Sequence, residues 1–203
     1  MRAKDMFLKS ENYLCYFLIF YFSIISFNLY SNTNDKIKAL EYLSSLQYFS
    51  ASFLQNDGNN LSEGKIYIGK NRVRAEYVLP SKILIILDRN KAMYFNYELE
   101  EDEFFNPKNT NAWFFYDIFR NPYFFEDGKV EVKNNELLLE KTGIDNEEKN
   151  FVIRVLFEKQ PLILRGIEVV VNDDILKLSI YNHSYNEVFD KSFFKLINPK
   201  LLN

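Results

Sequence analysis

The chain has 203 residues, with 25 Lys and Arg against 28 Asp and Glu, a formal charge of −3. With no basic surplus it lacks the electrostatic footprint of a nucleic-acid binder, and one cysteine with one histidine can form neither an internal disulfide nor the usual zinc clusters. At 47% hydrophobic residues it is not disordered and its length fits one domain better than two, but 20 Phe and 14 Tyr are more ring surface than a small core needs.

Arg2, Lys4 and Lys9 precede an apolar run from Tyr13 to Tyr30 that is broken only by Ser23, Ser26 and Asn28. Basic, then apolar, then small polar residues is the order of a secretory signal over residues 1–31, cut after Ser31. Retained as an anchor, the same run would approach the ~20 residues that span a bilayer. Cys15 lies inside the run with no lipid-attachment box before it and leaves with the signal. Residues 32–203 then form one exported domain with 22 basic and 26 acidic residues, a charge of −4 and no cysteine, so core packing and backbone pairing must hold it together.

Ile37, Leu40, Leu43 and Leu46 recur at three-residue spacing and predict an amphipathic helix from Asn34 to Leu46. Alternation takes over in Tyr48–Phe53, Lys65–Ile68 and Arg72–Tyr77, which predict antiparallel strands separated by turns at 56–60, 69–71 and 79–81. Ile83–Leu87 and Met93–Phe95 form a hairpin around Asp88-Arg89-Asn90. The acidic stretch Glu98–Glu103 is either a solvated strand or turn, or a face for a basic partner. Trp113 to Phe119 reads as a short helix, packed in the core or covering a cavity as a lid. Further strands are expected at 130–132, 137–140, 151–157, 162–171, 175–181 and 193–197, with His183 exposed in the turn at 182–187.

No Gly-x-Ser-x-Gly elbow, glycine-rich phosphate loop or His-Glu-x-x-His pair occurs. Glu100, Asp102 and Asp88 read as solvated turn carboxylates rather than an acid/base pair. No catalytic residue, cofactor or metal site is therefore expected.

Ser45-Leu46-Gln47-Tyr48-Phe49-Ser50-Ala51-Ser52-Phe53-Leu54-Gln55 carries Phe49, Ala51, Phe53 and Gln55 in the pattern S-F-x-A-x-F-x-Q, and Gly64-Lys65-Ile66-Tyr67-Ile68 follows as a G-x-hydrophobic strand. Arg74, Glu76, Tyr77 and Pro80 fit the signature R-P-G-x-hydrophobic-R-aromatic-E-Y-x-x-P, Met93 to Tyr97 fits an aromatic W-x-Y strand, and Phe193 to Pro199 fits a closing phenylalanine strand and proline. On these motifs the chain resembles the periplasmic outer-membrane lipoprotein carriers of the LolA type. It departs at Gly69-Lys70-Asn71, which replace the leading Arg-Pro-Gly, and at Ala75, which replaces an aromatic. In that family the leading arginine helps hold a lid closed, so the resemblance leaves open how the lid is held here.

The resemblance implies a mainly β fold, a half-open antiparallel β-barrel with an N-terminal amphipathic helix and short helices over an apolar cavity. It also implies a non-enzymatic periplasmic carrier, expected to be a monomer. Its cargo would be the acyl chains of lipoproteins, received from an inner-membrane ABC transporter through transient contact and passed to an outer-membrane acceptor. The alternative is a half-barrel lipid-sensing or envelope-stress regulatory module that binds a partner protein. The two-residue period of a strand puts Val73, Ala75 and Tyr77 on one face and Arg72, Arg74 and Glu76 on the other. The same reasoning assigns Ile83 and Ile85 to the cavity, with Phe49, Phe53 and Tyr94 supplying rings, Leu40 and Leu43 the helix, and Phe114, Phe115 and Ile118 the lid.

Overall fold

The computed structural model describes residues 33–145 and 148–202, so the expected export segment lies outside the described residues. The first helix, α1, covers 33–45. Its buried face is Asp35, Ala39 and Leu43, continued by Leu46, while Ile37 is 49% exposed. Of the four residues at three-residue spacing, Leu43 and Leu46 are buried and Leu40 packs against the core, but Ile37 does not: at 100° per residue it stands on the side opposite Ala39. Asp35 is carried inward by this rotation and pairs with Lys159 at 2.8 Å.

Eleven strands follow. They are β1 (Phe49–Asn56), β2 (Leu61–Ile68), β3 (Val73–Leu79), β4 (Ile83–Leu87), β5 (Ala92–Asn96), β6 (Glu101–Phe105), β7 (Lys129–Lys133), β8 (Glu136–Ile144), β9 (Asn150–Lys159), β10 (Leu162–Val171) and β11 (Asp174–Ser184). A 3-10 turn at Pro107–Asn109 and the helix α2 (Ala112–Arg120) lie between β6 and β7. The strands form one antiparallel sheet in the order β6-β5-β4-β3-β2-β1-β11-β10-β9-β8-β7. It is open, because β6 and β7 do not pair, and the segment carrying α2 links these two edges. This is the half-open antiparallel architecture with helical elements that the resemblance implied. The acidic stretch becomes a turn and the solvated edge strand β6.

Alternation gives the sheet two unlike faces. On the concave face three rungs run across β1 to β5: Phe49, Ile68, Val73, Leu87 and Ala92; then Ala51, Ile66, Ala75, Ile85 and Tyr94; then Phe53, Gly64, Tyr77, Ile83 and Asn96. Both helices pack against this face, α2 through Phe114, Ile118 and Phe119. On the convex face a charged row crosses four strands, Glu140 to Arg154 to Glu168 to Lys177, and each member is paired with the next. There, too, β4 and β5 bury Leu84, Ile86, Met93 and Phe95 in a second cluster against Leu196.

The cover of this second cluster corrects one expectation. Residues 193–197 are not a closing strand but a series of turns, with Phe193 N–H donating to Asp190 O and Lys195 N–H to Ser192 O. Arg72 donates to Phe194 O at 2.7 Å and Arg74 to Phe193 O at 2.5 Å, so side chains at the start of β3 and just before it satisfy carbonyls that a strand would offer to a neighbour. Arg74 also lies 4.2 Å over the Phe193 ring, Asn198 donates to Asp102, and Lys200 pairs with Glu100. The C-terminal segment is thus a strap over the convex face. A second correction concerns His183, which is not in a turn but in β11, half-buried, with Nε2 2.6 Å from Leu164 O.

Candidate apolar cavity and its lid

Phe53, Gly64 and Tyr77 occupy one rung. A Cβ on Gly64 would lie 2.5 Å from Phe53 Cζ, so the absence of a side chain lets the Phe53 ring lie flat on β2. Its edge meets Tyr77 at 5.1 Å between centroids. In the neighbouring rung Ala51 and Ala75 are small where the flanking residues are large, which removes ring-sized volume from the middle of the concave face. A cavity of about 190 Å³ results, walled by Phe53, Ile66, Val73, Ala75, Tyr77 and Ile85 of the sheet and by Phe115 of α2. Its polar contacts are few: Tyr77 donates to Gln55 Oε1 at 2.8 Å, and burial pushes the Tyr77 phenol up to about 12.

Of the residues expected at the site, Phe53, Val73, Ala75, Tyr77, Ile85 and Phe115 are brought together here. Ile83 and Tyr94 share the face on neighbouring strands but stand outside the lining. Phe49 and Phe114 are fully buried in ring packing, Phe49 against Tyr185 and Phe114 against Phe151. Leu40, Leu43 and Ile118 line a separate, more polar hollow between α1 and α2. Ile66 follows from the same two-residue period as its neighbours and was the readable omission. Leu176 and Leu178 come from β11, whose pairing with β1 spans more than a hundred residues and leaves no local signal.

The second helix closes the cavity and is fastened at its far end. Arg120, its last residue, donates from Nη1 to Gly69 O (3.1 Å) and Lys70 O (3.2 Å) and from Nη2 to Leu46 O (2.5 Å). The guanidinium thereby ties α2 to both the β2–β3 turn and the end of α1. Burial lowers its pKa, and among the described residues its Nε has no partner. A side chain on Gly69 would displace the Phe194 ring of the strap, since a Cβ there would sit 2.8 Å from it.

The arrangement suits exclusion of water from apolar matter rather than bond chemistry. Asp117 on α2 has its carboxyl raised by burial but lines none of the cavity wall, and among the described residues no three His, Cys, Asp or Glu side chains cluster. A cavity of about 150 Å³ holds one benzene. At 190 Å³ this one has room for about one ring-sized group.

Residues 44–197, about three quarters of the chain, match the family described as outer membrane lipoprotein carrier protein LolA. No curated protein matches significantly. Among solved structures, an uncharacterized conserved protein from Thermus thermophilus superposes with a TM-score of 0.52 at 8% identity, covering 82% of this chain and 95% of that one. MucB superposes with a TM-score of 0.50 at 6% identity, covering 80% of this chain and 62% of that one. The MucA/MucB complex of Pseudomonas aeruginosa superposes with a TM-score of 0.45 at 6% identity, covering 78% and 59%.

Proposed function

Because the chain belongs to the outer membrane lipoprotein carrier family, we propose that it is a periplasmic carrier that shields lipoprotein acyl chains in the cavity under α2. Residues 1–31 would direct its export. An inner-membrane ABC transporter would load it and an outer-membrane acceptor would receive its cargo. The observation that carries the reading is the apolar cavity beneath a helix held by one reversible cluster of hydrogen bonds.

The energetics fit a cargo with a long chain. Each methylene taken from water contributes ~0.8 kcal/mol, so a dozen contribute on the order of 10 kcal/mol. Displacing α2 costs the Arg120 hydrogen bonds and the burial of Phe114, Ile118 and Phe119, so cargo would have to replace those apolar contacts as well as outweigh the hydrogen bonds. Val73, Ala75, Tyr77 and Ile85 would contact the chain first, with Leu40, Leu43, Phe114 and Ile118 reached as the helices part.

The test is to add the purified protein to spheroplasts that make acylated lipoproteins. An equimolar complex with a released lipoprotein is expected, and Ala75→Phe, which fills the cavity, should abolish release while leaving the fold intact. No release by the unaltered protein would refute the carrier reading. Retention of a non-acylated partner protein instead would favour the regulatory module.

A further inference from the structure

A third hollow, of about 460 Å³, lies between the β4–β5 turn, the 3-10 turn and α2; it shares no residue with the apolar cavity and adjoins the hollow between α1 and α2 at Tyr116 and Arg120. Arg89 from the sheet, Lys108 from the 3-10 turn and Arg120 from α2 line it, against one carboxylate, Asp117. Arg89 and Lys108 both act electrostatically on Asp117, which places their charges around one point. Among the described residues neither side chain has an ion-pair or hydrogen-bond partner. Three cations against one carboxylate give this hollow a positive excess in a chain whose net charge is −3. Asp117 offsets only one of the positive charges that line the hollow, so the hollow stays net positive and a further anion between Arg89 and Lys108 would be attracted to both. Trp113, Tyr116 and Tyr123 wall the hollow with rings.

We propose that this hollow binds a phosphate-type anion, either free phosphate or the phosphodiester of an anionic lipid headgroup, which bridges Arg89 on the sheet to Lys108 beside the lid. An arginine and a lysine presenting several N–H donors suit a tetrahedral oxyanion. The bound anion would fasten the lid at a second point, independent of what the apolar cavity carries.

Trp113 is the chain's one tryptophan and lines the hollow, so its fluorescence reports occupancy directly. The purified protein is titrated with inorganic phosphate at constant ionic strength, and separately with phosphatidylglycerol or phosphatidylcholine vesicles. A saturable change with inorganic phosphate identifies a free-anion site. A change with phosphatidylglycerol alone identifies a headgroup site. In either case Arg89→Ala and Lys108→Ala, both at exposed positions, should each weaken binding roughly tenfold or more. No saturable change with either ligand, a response unaltered by both substitutions, or an equal response to phosphatidylcholine would overturn the proposal.

Discussion

Replacing Arg120 by alanine tests how the lid is held. Nη1 is shared between Gly69 O and Lys70 O at 3.1 and 3.2 Å and counts as about one bond, while Nη2 to Leu46 O at 2.5 Å is a second. A hydrogen bond to a charged group contributes ~1.5–3 kcal/mol. The desolvation that lowers the Arg120 pKa offsets part of this, leaving ~2–4 kcal/mol as the contribution of Arg120 to holding α2, on top of the burial of Phe114, Ile118 and Phe119. At 1.4 kcal/mol per factor of ten, R120A should raise the open population roughly 30- to 1000-fold. Hydrogen exchange of the α2 amides measures this directly, since their exchange rate follows the opening equilibrium. The affinity for an apolar fluorophore should rise in parallel until the open form dominates. R120K keeps the charge but has one compact donor that cannot span carbonyls on two elements, so it should recover less than half of the loss. Exchange of α2 at the unaltered rate in R120A, in a protein of native circular dichroism, would refute the latch.

Three further substitutions probe its surroundings. Gly69→Arg, which restores the residue the family signature has there, should destabilise the protein by ~1–3 kcal/mol in urea denaturation, because a Cβ would lie 2.8 Å from the Phe194 ring; adding Phe194→Ala should recover part of that loss. Lys159→Met strips the partner from Asp35, whose side chain is only 8% exposed, and should cost ~2–4 kcal/mol, somewhat below a fully buried pair because Lys159 is reached by water. The double variant D35N/K159M should regain most of that stability. His183 has its pKa lowered below 6.5, first by burial and then by the nearby Arg165. The unfolded chain therefore binds its proton more readily, and stability should fall as pH drops through 6.5 and recover as pH rises. As the chain's one histidine, it makes H183N the control: the slope of melting temperature on pH just below 6.5 should flatten, and an unchanged slope would assign the effect elsewhere.

The strands were legible because alternation is a local signal, and nearly every turn between them carried Asn, Asp, Gly or Pro. The α2 helix was legible from the density of Trp113 to Phe119. The C-terminal strap was not. Its phenylalanines mimic a buried strand, and what decides against one is a pair of guanidinium groups, Arg72 and Arg74, more than a hundred residues away. Leu40, Leu43 and Ile118 were placed in the cavity because the sequence marks an apolar face without saying which of two neighbouring hollows that face meets. The latch was equally hidden, since its acceptors are backbone carbonyls, which every residue possesses. Arg120 showed only as a basic residue in the last turn of a helix, where the macrodipole alone accounts for it.

Two departures from the family signature become one arrangement once the strap is included. With Phe194 seated on Gly69, a side chain at that point of the β2–β3 turn would have to displace the ring. The turn's carbonyls are left free, and they are what Arg120 takes up from the lid side. The contact to this turn is thus made from α2 by Arg120, and a side chain on Gly69 would first have to displace the Phe194 ring of the strap. Ala75 belongs to the same strand but acts on its other face, where the missing ring leaves space under Phe115. A strap that came loose from Arg72 and Arg74 would expose Leu84, Ile86, Met93 and Phe95 on the convex face, yet leave the carbonyls of Gly69 and Lys70 where Arg120 reaches them. Strap and latch are thus separable, and truncation before Phe189 should lower global stability while the exchange of α2 relative to the sheet changes little.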